Sequence, residues 1–135
     1  MSGNPRQGWL RKVFGDRGER VAARFLRRKG WRILARQSRS RIGELDLVAL
    51  DGQTVVFVEV KTRRSHAKGH PTEAVNYTKQ RQLTRAALAW LKRRNLLDHR
   101  SRFDVIAITW QESATPVIEH YPNAFEPTGE GQMYS

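Results

Sequence analysis

The segment GELDLVALDGQTVVFVEVK, residues 43–61, constrains the fold more than any other part of the chain. Two runs rich in β-branched and apolar residues flank Asp51-Gly52. An Asp-Gly pair between such runs specifies a tight antiparallel hairpin. Strand periodicity then sorts the side chains. In the second run Val55, Phe57, Glu59 and Lys61 share one face, and Val56, Val58 and Val60 share the other. Both faces are apolar, so this strand is predicted to be central. In the first run Glu44 and Asp46 fall on one face, with Leu45 and Leu47 on the other. A carboxylate and an ammonium near the end of a buried strand are costly to desolvate unless they have a specific task. Across a tight hairpin, Asp46 and Glu59 come close enough to share one cation.

The residue types suggest what that task is. Asp46 and Glu59, with the backbone carbonyl of Val60, form an oxygen ligand set suited to a hard divalent ion. Such an ion polarises a phosphate and acidifies an attacking water. Lys61, on the same face as Glu59, can orient that water or neutralise charge building on the phosphate. The pattern alone equally admits a plain cross-strand salt bridge of Asp46 or Glu59 with Lys61. Glu19 lies beside Ala22, Ala23 and Leu26 on a helical wheel and so points inward, where it can serve as a third ligand or a base. It also stands three residues after Asp16, the spacing of a capping box.

Around the hairpin, periodicity predicts the order α-β-β-β-α-β with an optional last strand. A helix is expected from about Asp16 to Gly30, carrying Val21, Ala22, Phe25 and Leu26 inward and Arg20, Arg24, Arg27 and Arg28 outward. A short strand follows at 32–36, and a long helix is expected over about Pro71–Arg94. The apolar run RFDVIAITW reads as an interior strand, parallel to an earlier one through a crossover, and Pro116–Tyr121 as an edge strand. Asp104 is expected to cap or pair structurally. Trp31, Trp90, Trp110 and Phe125 are expected in the core. Residues 1–15 read as an arm, 16–126 as one domain and 127–135 as a frayed tail.

Charge points to the partner. Lys and Arg number 25 against 13 acids, a formal +12 on 135 residues. That excess favours a polyanion, the phosphodiester backbone first. Arg39, Arg41, Arg63, Arg64 and Lys68 bracket the candidate site in sequence, and Lys79 and Gln80 lie where the stripe of the second helix turns polar. These are candidate nucleic-acid contacts. Cysteine is absent, which excludes disulfides and thiolate metal sites. His66 and His70 lack an obvious third ligand for zinc. No secretory signal, membrane span or helix with a large unpartnered apolar face is apparent, so a cytoplasmic location away from membranes is expected.

The stretches GERVAARFLRRKGWRILARQ, RIGELDLVAL, VVFVEVKTR, AVNYTKQRQL and RFDVIAI span about residues 16–125. Together they closely resemble the uncharacterised bacterial YraN-like family. That family looks like a branch of the PD-(D/E)XK nuclease superfamily, near the archaeal-type Holliday junction resolvases. The resemblance implies a restriction endonuclease-like α-β-β-β-α-β core, α/β in class, with a mixed central sheet flanked by helices and a Mg²⁺ or Mn²⁺ cofactor. It implies that Asp46 is the motif Asp, that Glu59 and Lys61 are the Glu-x-Lys, and that Glu19 is the helical Glu of the resolvase branch. Gln80 then falls at a helix-borne polar position near the site. The implied activity is endonucleolytic hydrolysis of DNA, branched or structured DNA included, for which a two-fold homodimer would be suited. A non-catalytic DNA- or RNA-binding protein on the same fold is the alternative.

Overall fold

The computed structural model describes residues 5–64, 69–112 and 114–128. The loop residues His66 and Lys68, and the end of the expected tail, lie outside the described residues. The elements follow the predicted order: α1 (Pro5–Arg28), β1 (Arg32–Arg39), β2 (Glu44–Asp51), β3 (Thr54–Arg64), α2 (Tyr77–Arg93), β4 (Ser101–Gln111) and β5 (Ala114–Phe125). The strands form one five-stranded sheet in sequence order. All neighbours are antiparallel except β3 and β4, which run parallel because α2 carries the chain back across the sheet.

β3 is central, as its two apolar faces require. Val55 and Phe57 pack with Phe103, Val105 and the Leu83, Ala87 and Trp90 stripe of α2. Val56 and Val58 pack on the opposite face with Ile106, Ile108 and the Ala22, Ala23 and Leu26 stripe of α1. Each helix thus covers one face of the sheet, and the buried layers hold it between them. Trp90 is fully buried, whereas Trp31 and Trp110 are half-buried against the α1 layer. Phe125 stacks on Phe103 with ring centroids 4.7 Å apart.

Four local expectations are revised. The first helix begins at Pro5 rather than near Asp16. Proline suits a first helical turn, and the Asp16–Glu19 spacing is not a cap at all, because both acids serve long-range contacts. The long helix expected from Pro71 is divided. Pro71–Ala74 is a short 3-10 turn, and α2 starts at Tyr77 behind Asn76. The Asn76 side chain accepts from the Lys79 N–H at 2.9 Å, satisfying a helix-end donor from an extended backbone. β1 runs to Arg39 through Gln37 at a positive φ of 48°. β5 is a full 12-residue strand.

α1 lies unusually close to β3 at Gly18. A Cβ there would sit well inside van der Waals contact of Thr62 Cγ2 and 3.7 Å from Val60 Cγ1. Gly18→Ala is therefore expected to destabilise the chain by about 1–3 kcal/mol despite its better helix propensity. It should also push the neighbouring Glu19 outward. Urea unfolding followed by tryptophan fluorescence checks the stability; an unchanged or raised midpoint would contradict the close approach.

Candidate active site

The site forms where β2 and β3 part. Their pairing runs from Asp51–Thr54 to Leu47–Val58, and the next rung would set Asp46 opposite Glu59. There the Asp46 Oδ2 accepts from the Val60 N–H at 2.9 Å, so a side chain takes the place of a backbone partner. The strand turns at this point. Leu45 packs in the α2 layer and Leu47 in the α1 layer, although strict alternation puts them on one face. Asp46 consequently lies between the layers and meets groups from both.

On the α2 side it meets Glu59, which is only 7% exposed. The two carboxyl groups share a hydrogen bond. Burial first, and then this bond and the Asp46 charge, push Glu59 up to about 8, against the pull of Lys79 and Lys61. Burial and the neighbouring Asp46 carboxylate thus favour the protonated form of Glu59. Lys79, from the first turn of α2, places its Nζ 3.7 Å from Glu59 Oε2.

On the α1 side Asp46 meets Glu19, 6% exposed. Burial is again the main cause lifting Glu19, to about 7; the Gln37 hydrogen bond opposes it, and the charges of Asp46, Asp16 and Glu44 add to it. The Gln37 side chain also donates to Asp16 Oδ1. Its left-handed backbone thus carries an amide to two acids of α1. Oxygens of Glu19, Glu44 and Asp46 all lie within 4.8 Å of one another, a group that could hold a metal ion. Of these only Glu19 is buried; Glu44 is exposed and lies 3.7 Å from Arg39 Nε. Glu19 Oε2 and Glu59 Oε2 are both buried without a hydrogen-bond partner.

The structure thus brings together Glu19, Asp46, Glu59 and Val60, with Lys61 and Lys79 close enough for their charges to act on Glu59. It adds Glu44 to the cluster, which sequence reasoning passed over. The signal was present in its two-residue spacing from Asp46 on the same strand. The other candidates lie differently. The Gln80 amide donates to the Val75 carbonyl at 2.9 Å and braces the loop before α2. Arg63 is tied down by Thr109, the Gly69 carbonyl and Glu119. Arg41 and Arg64 are exposed.

The crowded acids make stability depend on pH. Glu19 and Glu59 ionise near 4.5 when unfolded but near 7 and 8 when folded, so between these values the folded chain binds more protons. Without a divalent ion, the contribution of these two groups to stability is therefore expected to be full below about pH 4.5. It should fall by on the order of a few kcal/mol as pH rises to about 8. Urea midpoints in chelator across that range test this. Glu59→Gln should flatten the dependence, and a stability that rises over the same range would contradict it.

A five-stranded mixed sheet between two helices, with acids gathered where the central hairpin opens, defines a restriction endonuclease-like α/β protein. Comparison of the sequence agrees. The chain belongs to the Uncharacterised protein family UPF0102, the YraN family, whose model matches residues 18–108. It is 56% identical over 115 residues to a UPF0102 protein of Geobacter sulfurreducens, covering 85% of this chain and 90% of the relative. It is 51% identical over 116 residues to one of Trichlorobacter lovleyi (85% and 91%). A UPF0102 protein of Nocardia farcinica is 46% identical over 115 residues (85% and 91%). Among the described residues no helix is long and apolar enough to cross a membrane.

Proposed function

We propose that the chain is a Mg²⁺- or Mn²⁺-dependent endonuclease that hydrolyses phosphodiester bonds in DNA, branched or structured DNA included, in the cytoplasm. The observation that carries this reading is the pair of buried carboxylate oxygens without a hydrogen bond on Glu19 and Glu59, either side of Asp46, of which only the Glu59 oxygen has a cation near it, Lys79 Nζ at 3.7 Å. A fold does not bury such oxygens for stability, since each costs free energy while unsatisfied. A divalent cation is the partner that would satisfy crowded carboxylates, so the residues present fit the ion. Glu19, Glu44 and Asp46 would hold it, with Glu59 and the Val60 carbonyl adjoining. Once bound it would supply a Lewis acid for the phosphate and a more acidic water.

The chain's own groups account for the rest. With a cation bound, Glu59 would be favoured as a carboxylate, facing Lys61 and Lys79. Lys61 orients the attacking water or offsets charge on the phosphate. Arg39, Arg41 and Arg64 are exposed and suit phosphate contacts, and the formal +12 draws a polyanion toward the chain. A two-fold dimer would present two such sites to a junction. The test is a cleavage panel of single-stranded, duplex, flap and four-way DNA with Mg²⁺, with Mn²⁺ and with chelator. Product that requires the ion supports the reading. Salt-sensitive binding with no product under any condition would leave a nucleic-acid-binding protein instead.

A further inference from the structure

A groove of about 320 Å³ runs between α1 and β5. Glu19 leaves α1 toward β2, whereas this groove lies toward the opposite edge of the sheet. Arg17, Arg24 and Arg28 line it from the helix, and Phe25, Trp110 and Ile118 form apolar wall and floor. Residues spaced by seven and four fall within about 20° of one line on a helix and span roughly 16 Å. The three guanidinium groups therefore form a row. All three arginines are exposed, and no acid is among the described residues lining the groove. Arg17 already lies over the Trp110 ring, 4.7 Å from its centroid.

We propose that this groove is a second binding surface for a nucleic-acid strand, with phosphates on the arginine row and a base against Phe25 and the Arg17–Trp110 stack. Charge complementarity selects the occupant. A cationic row beside an aromatic floor matches a polymer that alternates phosphates with flat rings, as in binding of single strands by stacking and backbone contact. Trp110 and Phe25 already carry cations, Arg17 and Lys29, each 4.7 Å from the ring centroid, and an acidic peptide would meet the charges but bring no flat ring to extend these stacks. The inference rests on the proposed action on nucleic acid and extends it to a strand lying beyond the acid cluster, on the far side of α1.

The test is fluorescence anisotropy of the full chain with a labelled 20-nucleotide single strand in chelator, so that binding is read without cleavage. Arg24→Glu with Arg28→Glu is compared with Lys92→Glu and Arg93→Glu, exposed residues in the last turn of α2, which change net charge equally. Circular dichroism confirms folding, and Arg24→Gln with Arg28→Gln gives a milder second variant. The groove pair should weaken binding about tenfold more than the control pair. The glutamine pair should lower the salt slope by about 1.4, since each single-strand phosphate left without its arginine reduces it by about 0.7. Equal weakening by the groove and control pairs would overturn the groove while leaving nucleic-acid binding intact. An oligoglutamate that competes as well as the oligonucleotide would overturn the choice of occupant. No binding by the unmutated chain would overturn the nucleic-acid reading itself, and this proposal with it.

Discussion

Replacing Asp46 with asparagine is expected to lower Mg²⁺-dependent DNA cleavage by about 10³-fold or more while leaving DNA affinity within about threefold. Asp46 is the one group that touches both halves of the site: its charge acts on Glu19, and it is bonded to Glu59 and to the Val60 N–H. An asparagine carbonyl can still accept from Val60, so the parting of β2 and β3 is kept. The lost negative charge removes a main reason for an ion to sit there. It also relieves Glu19 and Glu59, whose pKa values should both move down toward the ordinary range. Single-turnover cleavage rates beside anisotropy titrations would check the prediction. Cleavage near the unmutated rate would remove Asp46 from the chemistry and leave the site without its centre.

Asp104→Ala should produce the largest drop in stability. Asp104 is fully buried, and it accepts from Arg102 at 2.9 Å, from His120 Nε2 at 2.8 Å and from the Asn123 N–H at 2.9 Å. Burial alone would raise its pKa, but these bonds and the Arg102 charge hold it below the usual range. Its contribution is thus full above about pH 4 and fades only in stronger acid. Lys29 Nζ lies 2.9 Å from His120 Nδ1. A lysine ammonium can only donate, so Nδ1 accepts and Nε2 carries the proton given to Asp104. Arg102 continues the network to Asp51 at the hairpin turn. Removing the carboxylate strands three part-buried donors around a fully buried position at once, at a cost of about 3–5 kcal/mol. Thermal and urea unfolding would show it, and a change below about 1 kcal/mol would mean water satisfies those donors. Asp104→Asn should cost less, because the shape and one acceptor remain.

Much of this was legible in the sequence for short-range reasons. The Asp51-Gly52 turn determines the register, and the register sets Asp46 opposite Glu59. The two apolar faces of residues 55–60 place β3 at the centre. Asp104 pairs structurally, as its position at a strand start suggests. What escaped depends on contacts between distant segments. Asp16 and Glu19 have the spacing of a cap, yet Asp16 answers Gln37, 21 residues away, and Glu19 answers β2. Gln37 reads as ordinary link sequence because nothing local reveals a left-handed backbone. The turn of β2 at Asp46, which separates Leu45 from Leu47, is invisible to a strict two-residue period. Glu44 was passed over because its role depends on the approach of α1.

The contrast between Asp104 and the acid cluster bears on how this protein could be improved. Around Asp104 every charge has its complement, so sequence changes there can only subtract from durability. Around Asp46 like charges are forced together, and neutral replacements such as Gln at position 59 should make a sturdier but duller molecule. A search for heat-resistant variants would therefore enrich substitutions in the acid cluster unless activity is selected alongside.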